Sequence, residues 1–269
     1  MAHETWGEID DRKYDFKEAY CVFLDILGYR ARLEEFFAGK FNLYDRVERA
    51  KTHALLGLER NLQNLPEGMK FIYFSDSLVF TAEVGKTEFS ILLDYTLRFV
   101  ACFSLDSLFL RGGISVGKIF QTTGDDSFLA SEGLVSAYEM EKEAKFPLIE
   151  VDSKLVGKFR GVLSRYIVKS GDKLILNYAR MVINECAENE DSVCAEIEEL
   201  IDRKNSFSDI NVREKYEWII NYYLWTIDVF QARHGKFSLE KFERFQKERS
   251  PKFVFSHLEE SDFSSTQHQ

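Results

Sequence analysis

The sequence contains no run of eighteen or more apolar residues, so a membrane-spanning helix and direct membrane insertion are not expected. Its N-terminus, MAHETWGEIDDRKYDFKE, is polar and acidic where a secretory leader would be basic and then greasy, which speaks against export by that route. There is no CxxC pair. The four cysteines (Cys21, Cys102, Cys186, Cys194) lie far apart and two sit inside apolar runs, where a buried free thiol is usual; this is the usage of a soluble protein of a reducing cytoplasm. Positive charge is also in deficit: the formal net charge is -10 and the pI near 5.2. Such a field repels polyphosphate backbones unless basic residues gather locally, so binding to nucleic acid is not expected. The five histidines (His3, His53, His234, His257, His268) show no metal-ligand spacing, the chain has no GxxxxGK loop, and no internal repeat is present.

What is there is a chain of 269 residues, 45% hydrophobic and 14% aromatic, enough for one sizeable core with a smaller appendage. We read an N-terminal extension over 1–17, a core domain over 18–170, a helical extension over 171–254 and a polar, mobile tail over 255–269.

Residues 20–27 (YCVFLDIL) form a short apolar run closed by Gly28, the signature of a buried strand with an anomalous aspartate inside it. From Arg30 to about Leu65 the apolar spacing is helical, one helix or two with a break near Gly39. After Pro66-Glu67-Gly68, the runs 70–75 and 77–82 flank Asp76 as a tight hairpin. A helix over 87–104 with Thr87 as its cap, a strand over 108–120, a loop at Gly124-Asp125-Asp126, a helix over 131–145 and a strand over 148–152 follow. Helical patterns return at 190–206 and 211–233, the second carrying an aromatic stripe that includes Tyr216 and Tyr223 and is expected to serve as core or dimer contact.

The order βαββαβ is that of a ferredoxin-like unit, an α+β arrangement within the broad α/β class. In it the first and second strands run parallel, so the end of the first strand and the tip of the hairpin share one edge of the sheet. Asp25 and Asp76 should therefore meet, with Arg111 at the start of the fourth strand close to both. Two carboxylates meeting without a cation would raise one pKa strongly; a divalent metal turns the repulsion into coordination. Plainer readings exist: Asp25 can cap local amides and Asp76 can be turn chemistry. Gly112 and Gly113 read as a bulge or close backbone approach, Asp125 and Asp126 as turn residues. Glu139, Glu141 and Glu143 read as a solvated helix face with Lys142 and Lys145.

The run Phe23-Leu24-Asp25-Ile26-Leu27-Gly28-Tyr29 resembles the F-x-D-I-x-G-F signature of class III nucleotidyl cyclases. Asp76 stands at the place of that family's second metal aspartate, Arg111 to Gly117 resembles its R-x-G-I-x-x-G strand, and Ala137 to Glu141 its A-S-R-M-E helix. Together these cover roughly 20–152. The resemblance implies a palm with a C-terminal helical extension, and two divalent ions (Mn2+ or Mg2+) held by Asp25, the carbonyl of Ile26, and Asp76. It further implies that Leu27, Gly28, Tyr29 and Arg30 meet the triphosphate. On alignment the family's transition-state arginine falls on Glu139 and its asparagine on Val135, while two purine-reading positions fall on Ile72 and Phe128. The missing cation is then sought among Arg111, Lys145, Arg30 and Lys142, with Arg111 and Lys145 as the catalytic candidates. The AYE helix, the PxIxxD strand and Arg213 to Trp218 look most like the pyrimidine cyclases of Pycsar antiphage systems. That likeness implies cyclic UMP or cyclic CMP synthesis, a homodimer and a separate cyclic-nucleotide-activated effector.

Two other readings stay open: a degenerate cyclase-like module that binds without turning over, suggested by Val135 and Glu139, and a palm that joins nucleotides into oligonucleotides. FSDS in place of a GGDEF or GGDD turn counts against the last.

Overall fold

The structure, a computed structural model, describes residues 15–58, 64–122, 128–156, 166–186, 190–234 and 239–258. Asp125 and Asp126 lie outside the described residues. Strand β1 (Lys17–Ile26) carries aromatic and branched side chains alternately to two faces. Tyr20, Val22, Leu24 and Ile26 enter the main core, whereas Ala19, Cys21 and Phe23 join small clusters on the opposite face. Asp25 shares the parity of that second set.

Two helices follow, α1 (Tyr29–Phe37) and α2 (Leu43–Gly57). The break expected near Gly39 is a helix stop: Gly39 has φ 66°, its amide bonds the Phe36 carbonyl, and the Lys40 amide bonds the Glu35 carbonyl. Asn42 caps α2 by accepting from the Asp45 amide at 3.2 Å. Strands β2 (Met69–Phe74) and β3 (Ser77–Glu83) are joined through Ser75 and Asp76 alone, with Ser75 at φ 54°. Helix α3 (Phe89–Leu105) is buried along most of its length. Thr87 does not cap it: Glu88 stands at the cap with no side-chain bond, and the Thr87 hydroxyl donates to the Glu67 carbonyl at 2.6 Å. The helix starts two residues later than the sequence suggests, and the Thr87 hydroxyl instead ties the chain before the helix to the turn at Glu67.

Strand β4 (Leu110–Gln121), the short β5 (Leu129–Ser131), helix α4 (Glu132–Glu143) and β6 (Ile149–Val151) complete the palm. Ser131 caps α4 by accepting from the Leu134 amide. The turn α5 (Ser153–Val156), the hairpin β7 (Ile167–Ser170) and β8 (Lys173–Leu176), and helices α6 (Tyr178–Cys186), α7 (Glu190–Ser206), α8 (Ile210–His234) and α9 (Leu239–Glu243) follow, then β9 (Phe255–Ser256).

Among the described residues the strands form one sheet in the order β2-β3-β1-β4-β6-β8-β7-β9, with β5 on β4. Strand β1 is antiparallel to both β3 and β4, and β3 to β2. This is the split βαβ order of a ferredoxin-like palm, as the element order predicts. The hairpin β7–β8 straddles residue 170, and Phe255, at the head of the expected tail, is buried while its strand pairs with β7.

Helices α2 and α3 cover one face of the palm, and α4 lies on the other across β1 and β4. Glycine makes that approach possible: a Cβ on Gly113 would sit 2.4 Å from the Ala137 carbonyl oxygen, and one on Gly117 would sit 2.5 Å from the Gly133 nitrogen. The helical extension is anchored on α3 through α6 and α8. Trp218, Ile220, Tyr222 and Tyr223 are buried, so the aromatic stripe of α8 is core; Tyr223 Oη donates to Ser104 Oγ on α3 at 3.0 Å. Full burial of such side chains contributes about 1.5–3 kcal/mol each, which is why this layer stays docked. Cys21, Cys102 and Cys194 are buried and outside any disulfide.

Candidate functional site at the end of the first strand

The register sets the geometry of the site. Asp25 pairs with Ser77 of β3 on one side and with Arg111 of β4 on the other. Beyond it, the Ile26 amide donates to the carbonyl of Asp76 at 3.1 Å, tying the hairpin tip to the end of β1. The Leu27 amide donates to the Phe109 carbonyl at 2.9 Å, and the chain then turns through Gly28 (φ 74°) into α1. Asp25, Asp76 and Arg111 thus share one edge of the sheet. Ser75, a residue with a side chain in a left-handed conformation, sits at the tip beside Asp76, a local cost of about 1–3 kcal/mol.

Arg111 is held from three sides. Its Nε lies 3.1 Å from Asp25 Oδ2 and 2.7 Å from Glu141 Oε1, and Nη1 donates to the Ala144 carbonyl at 3.2 Å. Glu141 is a correction to the sequence reading: it is 4% exposed, not part of a solvated face. It follows Gly133 and Ala137 at helical spacing along the stripe of α4 that presses on β4, so packing carries it inward. Its Oε1 is close to Arg111 without hydrogen-bond geometry and remains a buried acceptor with no hydrogen bond. Glu139 and Glu143 are exposed, as a wet face requires.

Charge follows from this crowding. Burial pushes the Asp25 carboxyl up to about 6, opposed by Arg111 and reinforced by the charges of Glu141 and Asp76. Burial likewise raises Glu141, again opposed by Arg111 and reinforced by Asp76. If all three acids ionise, one guanidinium leaves two negative charges uncompensated within the cluster. Nearby, burial and a hydrogen bond with Tyr29 push the Tyr73 phenol up to about 12, with Asp76 adding to the shift.

The other expected residues spread around this edge. Leu27 and Gly28 line a cavity of about 470 Å3 that extends to α8, whereas Arg30 is exposed on α1. Lys145 is 54% exposed and paired with Glu214 of α8 at 2.5 Å. Val135 is 60% exposed on α4 and Phe128 57% exposed, while Ile72 packs with Phe23, Val79 and Ala137. Sequence reasoning missed Lys215, which lines the cavity and lies within electrostatic reach of Asp25 and Arg111. Its signal was its spacing from Val212 and Ile219, which puts all three on one face of α8.

The donor set suits a hard divalent cation. It offers carboxylates at the end of a strand, an excess of negative charge and a buried carboxylate oxygen lacking a hydrogen bond. Among the described residues no group of three or more His, Cys, Asp or Glu side chains is placed to hold a metal alone. That is the expected condition where ligand oxygens complete the shell, as Mg2+ sites commonly use one or two carboxylates with phosphate.

No family model and no curated protein matches the sequence. Among solved structures, the chain is similar to the catalytic core of a rhodopsin-guanylyl cyclase with converted specificity in complex with ATPalphaS (TM-score 0.42, 11% identity, 61% of this chain and 98% of that one). It is also similar to the monomeric guanylyl cyclase domain of the RhoGC fusion protein of Blastocladiella emersonii (TM-score 0.42, 10% identity, 61% and 96%). A third is the guanylate cyclase domain of RhGC from Catenaria anguillulae in complex with GTP (TM-score 0.39, 10% identity, 60% and 95%). These likenesses are distant. The fold itself is a mixed α+β palm, a sheet flanked by helices in βαββαβ order with a C-terminal helical extension.

Proposed function

We propose that the chain is a nucleotidyl cyclase of the class III kind. It joins the 3′ oxygen of a pyrimidine nucleoside triphosphate, UTP or CTP, to the α-phosphorus as the bond from that phosphorus to the bridging oxygen breaks. Pyrophosphate leaves, and the 3′ proton passes to solvent. The observation that supports this best is the meeting of Asp25 and Asp76 at one sheet edge, tied by the Ile26 amide to the Asp76 carbonyl. Asp25, Asp76 and the Ile26 carbonyl would hold two Mn2+ or Mg2+ ions, which when bound lower the pKa of the 3′ hydroxyl and steady the triphosphate.

The chain's own residues prepare that site. Arg111 fixes the Asp25 carboxylate in direction, since its guanidinium is anchored on Glu141 and the Ala144 carbonyl. The turn at Leu27 and Gly28 exposes main chain at the start of α1, where no side chain caps the helix and no acid stands in the first turn. Tyr29 and Arg30 belong to that turn, so phosphate oxygens placed there meet amides and a favourable helix end.

The base assignment rests on the resemblance of the AYE helix, the PxIxxD strand and Arg213 to Trp218 to pyrimidine cyclases, and the absence of the purine-reading side chains at Ile72 and Phe128 accords with it. Same-face exposure of Val135 and Tyr138 on α4 suits a second copy of the chain, giving a homodimer. In this reading the protein works in the cytoplasm, and its product is a second messenger of antiphage defence sensed by a separate effector. The degenerate reading keeps one observation in its favour: Val135 and Glu139 are exposed where the family's catalytic side chains belong.

Incubating the purified chain with each ribonucleoside triphosphate and Mn2+, followed by mass identification of products, tests this. A 3′,5′-cyclic monophosphate from UTP or CTP is the expected result. Oligonucleotides would support the polymerising palm, and binding without any product would support the degenerate module; either overturns the cyclase reading.

A further inference from the structure

The cavity of about 470 Å3 lies between the palm and the helical extension. Leu27, Gly28 and Ala31 form its palm wall, and Val212, Lys215 and Tyr216 of α8 form the facing one. Its volume falls in the range of small-molecule sites, roughly 300–1,000 Å3. A Cβ on Gly28 would meet nothing within 4 Å, so the main chain of the turn stands open.

Three cations line this space. Arg32 is paired with Glu35 at 2.7 Å and Arg203 with Glu199 at 2.7 Å. Among the described residues Lys215 makes no ion pair, although it is half-buried. Its charged surroundings are mixed: Arg111 and Lys145 repel it, Asp209 and Asp25 attract it. Burial and the two like charges together hold its ammonium below the usual lysine range. A half-buried ammonium with no ion pair is unfavourable, and Lys215 lines the same cavity as Gly28 at the uncapped start of α1.

We propose that Lys215, reaching from the helical extension into the cavity beside Gly28, binds the phosphate chain of the nucleotide and supplies the positive charge that Glu139 of α4 does not. This rests on the nucleotide reading above and assigns the extension a part in it. Arg111 is held by Asp25 and Glu141, and Lys145 is paired with Glu214, whereas Lys215 has no such pair among the described residues. Lysine suits the task as a compact, mobile charge on a flexible stem. The α1 amides and Lys215 would clasp the phosphates from opposite walls, and the extension would close the site that the palm leaves open.

The test is calorimetric titration of the full chain with inorganic tripolyphosphate in Mn2+ buffer, for the wild type, Lys215→Gln, Lys215→Arg and Lys17→Gln. Lys17 lies at the far end of β1, paired with Glu83. Lys215→Gln should weaken binding at least about tenfold, Lys215→Arg by no more than about threefold, and Lys17→Gln should leave it unchanged. Lys215→Met, which keeps the aliphatic stem, gives the same comparison should Lys215→Gln disturb the packing beside Tyr216. In turnover, Lys215→Gln should raise KM for the triphosphate and lower kcat, with Lys215→Arg restoring most of both. Wild-type failure to bind tripolyphosphate, or unchanged binding by Lys215→Gln, overturns the inference. Lys215-dependent binding without any cyclic product contradicts the cyclase reading alone; normal KM and kcat in an active Lys215→Gln enzyme contradicts this inference alone.

Discussion

Asp25 and Arg111 face each other across the β1–β4 ladder, with Nε 3.1 Å from Oδ2, yet burial still pushes the carboxyl of Asp25 up to about 6. The guanidinium is shared with Glu141, and burial together with the charges of Glu141 and Asp76 outweighs it. A site whose own cation cannot neutralise its acids is prepared for another.

The first prediction is a pH dependence of stability. The folded pKa of Asp25, about 6, exceeds its ordinary value of 3.8, so the fold disfavours the ionised form. Its stabilising contribution is therefore complete below about pH 4 and lost as pH rises through 6. In chelator, Asp25→Asn should melt a few degrees above the wild type at pH 8, by on the order of 1–3 kcal/mol, and at the same temperature near pH 4. Thermal melts across that range check it; a destabilised variant at pH 8 would contradict it.

The second concerns divalent ions. Mn2+ should raise the melting temperature of the wild type, by about 2.7 kcal/mol of added stability at a hundredfold excess over Kd. Asp76→Ala should keep the fold, since removing one of the facing acids relieves repulsion, while losing the Mn2+ response and turnover. Melts of both proteins with and without Mn2+ decide the matter.

The third concerns the seat of α4. Gly113→Ala would force a Cβ to 2.4 Å from the Ala137 carbonyl oxygen, so β4 and α4 must part. Urea unfolding should show a loss of about 2 kcal/mol or more, with weaker Mn2+ binding because Glu141, which anchors the Arg111 that orients Asp25, moves with the helix.

The palm was legible because its signals were local: an apolar run closed by Gly28, a hairpin around Asp76 and helical spacing after it. The meeting of Asp25, Asp76 and Arg111 followed from strand order alone. The burial of Glu141 was hidden by its acidic neighbours Glu139 and Glu143, though Gly133 and Ala137, eight and four residues before it, mark a face pressed against something. The hairpin β7–β8 went unassigned, although Gly171 (φ 62°) and Asp172 separate two short strands in the manner of a two-residue turn. Lys215 could not be placed in advance, because its role depends on how α8 docks, a long-range matter of core packing. Thr87 misled because the helix starts at Phe89, which leaves Glu88 at the cap position and Thr87 one residue outside it.

Counting the Mn2+ ions bound when the chain is saturated with a non-hydrolysable UTP analogue, by electron paramagnetic resonance, addresses the central claim most directly. The account predicts two ions per chain in the wild type and loss of at least one in both Asp25→Asn and Asp76→Ala. No bound Mn2+ in the wild type, or the same number in both variants, would contradict it.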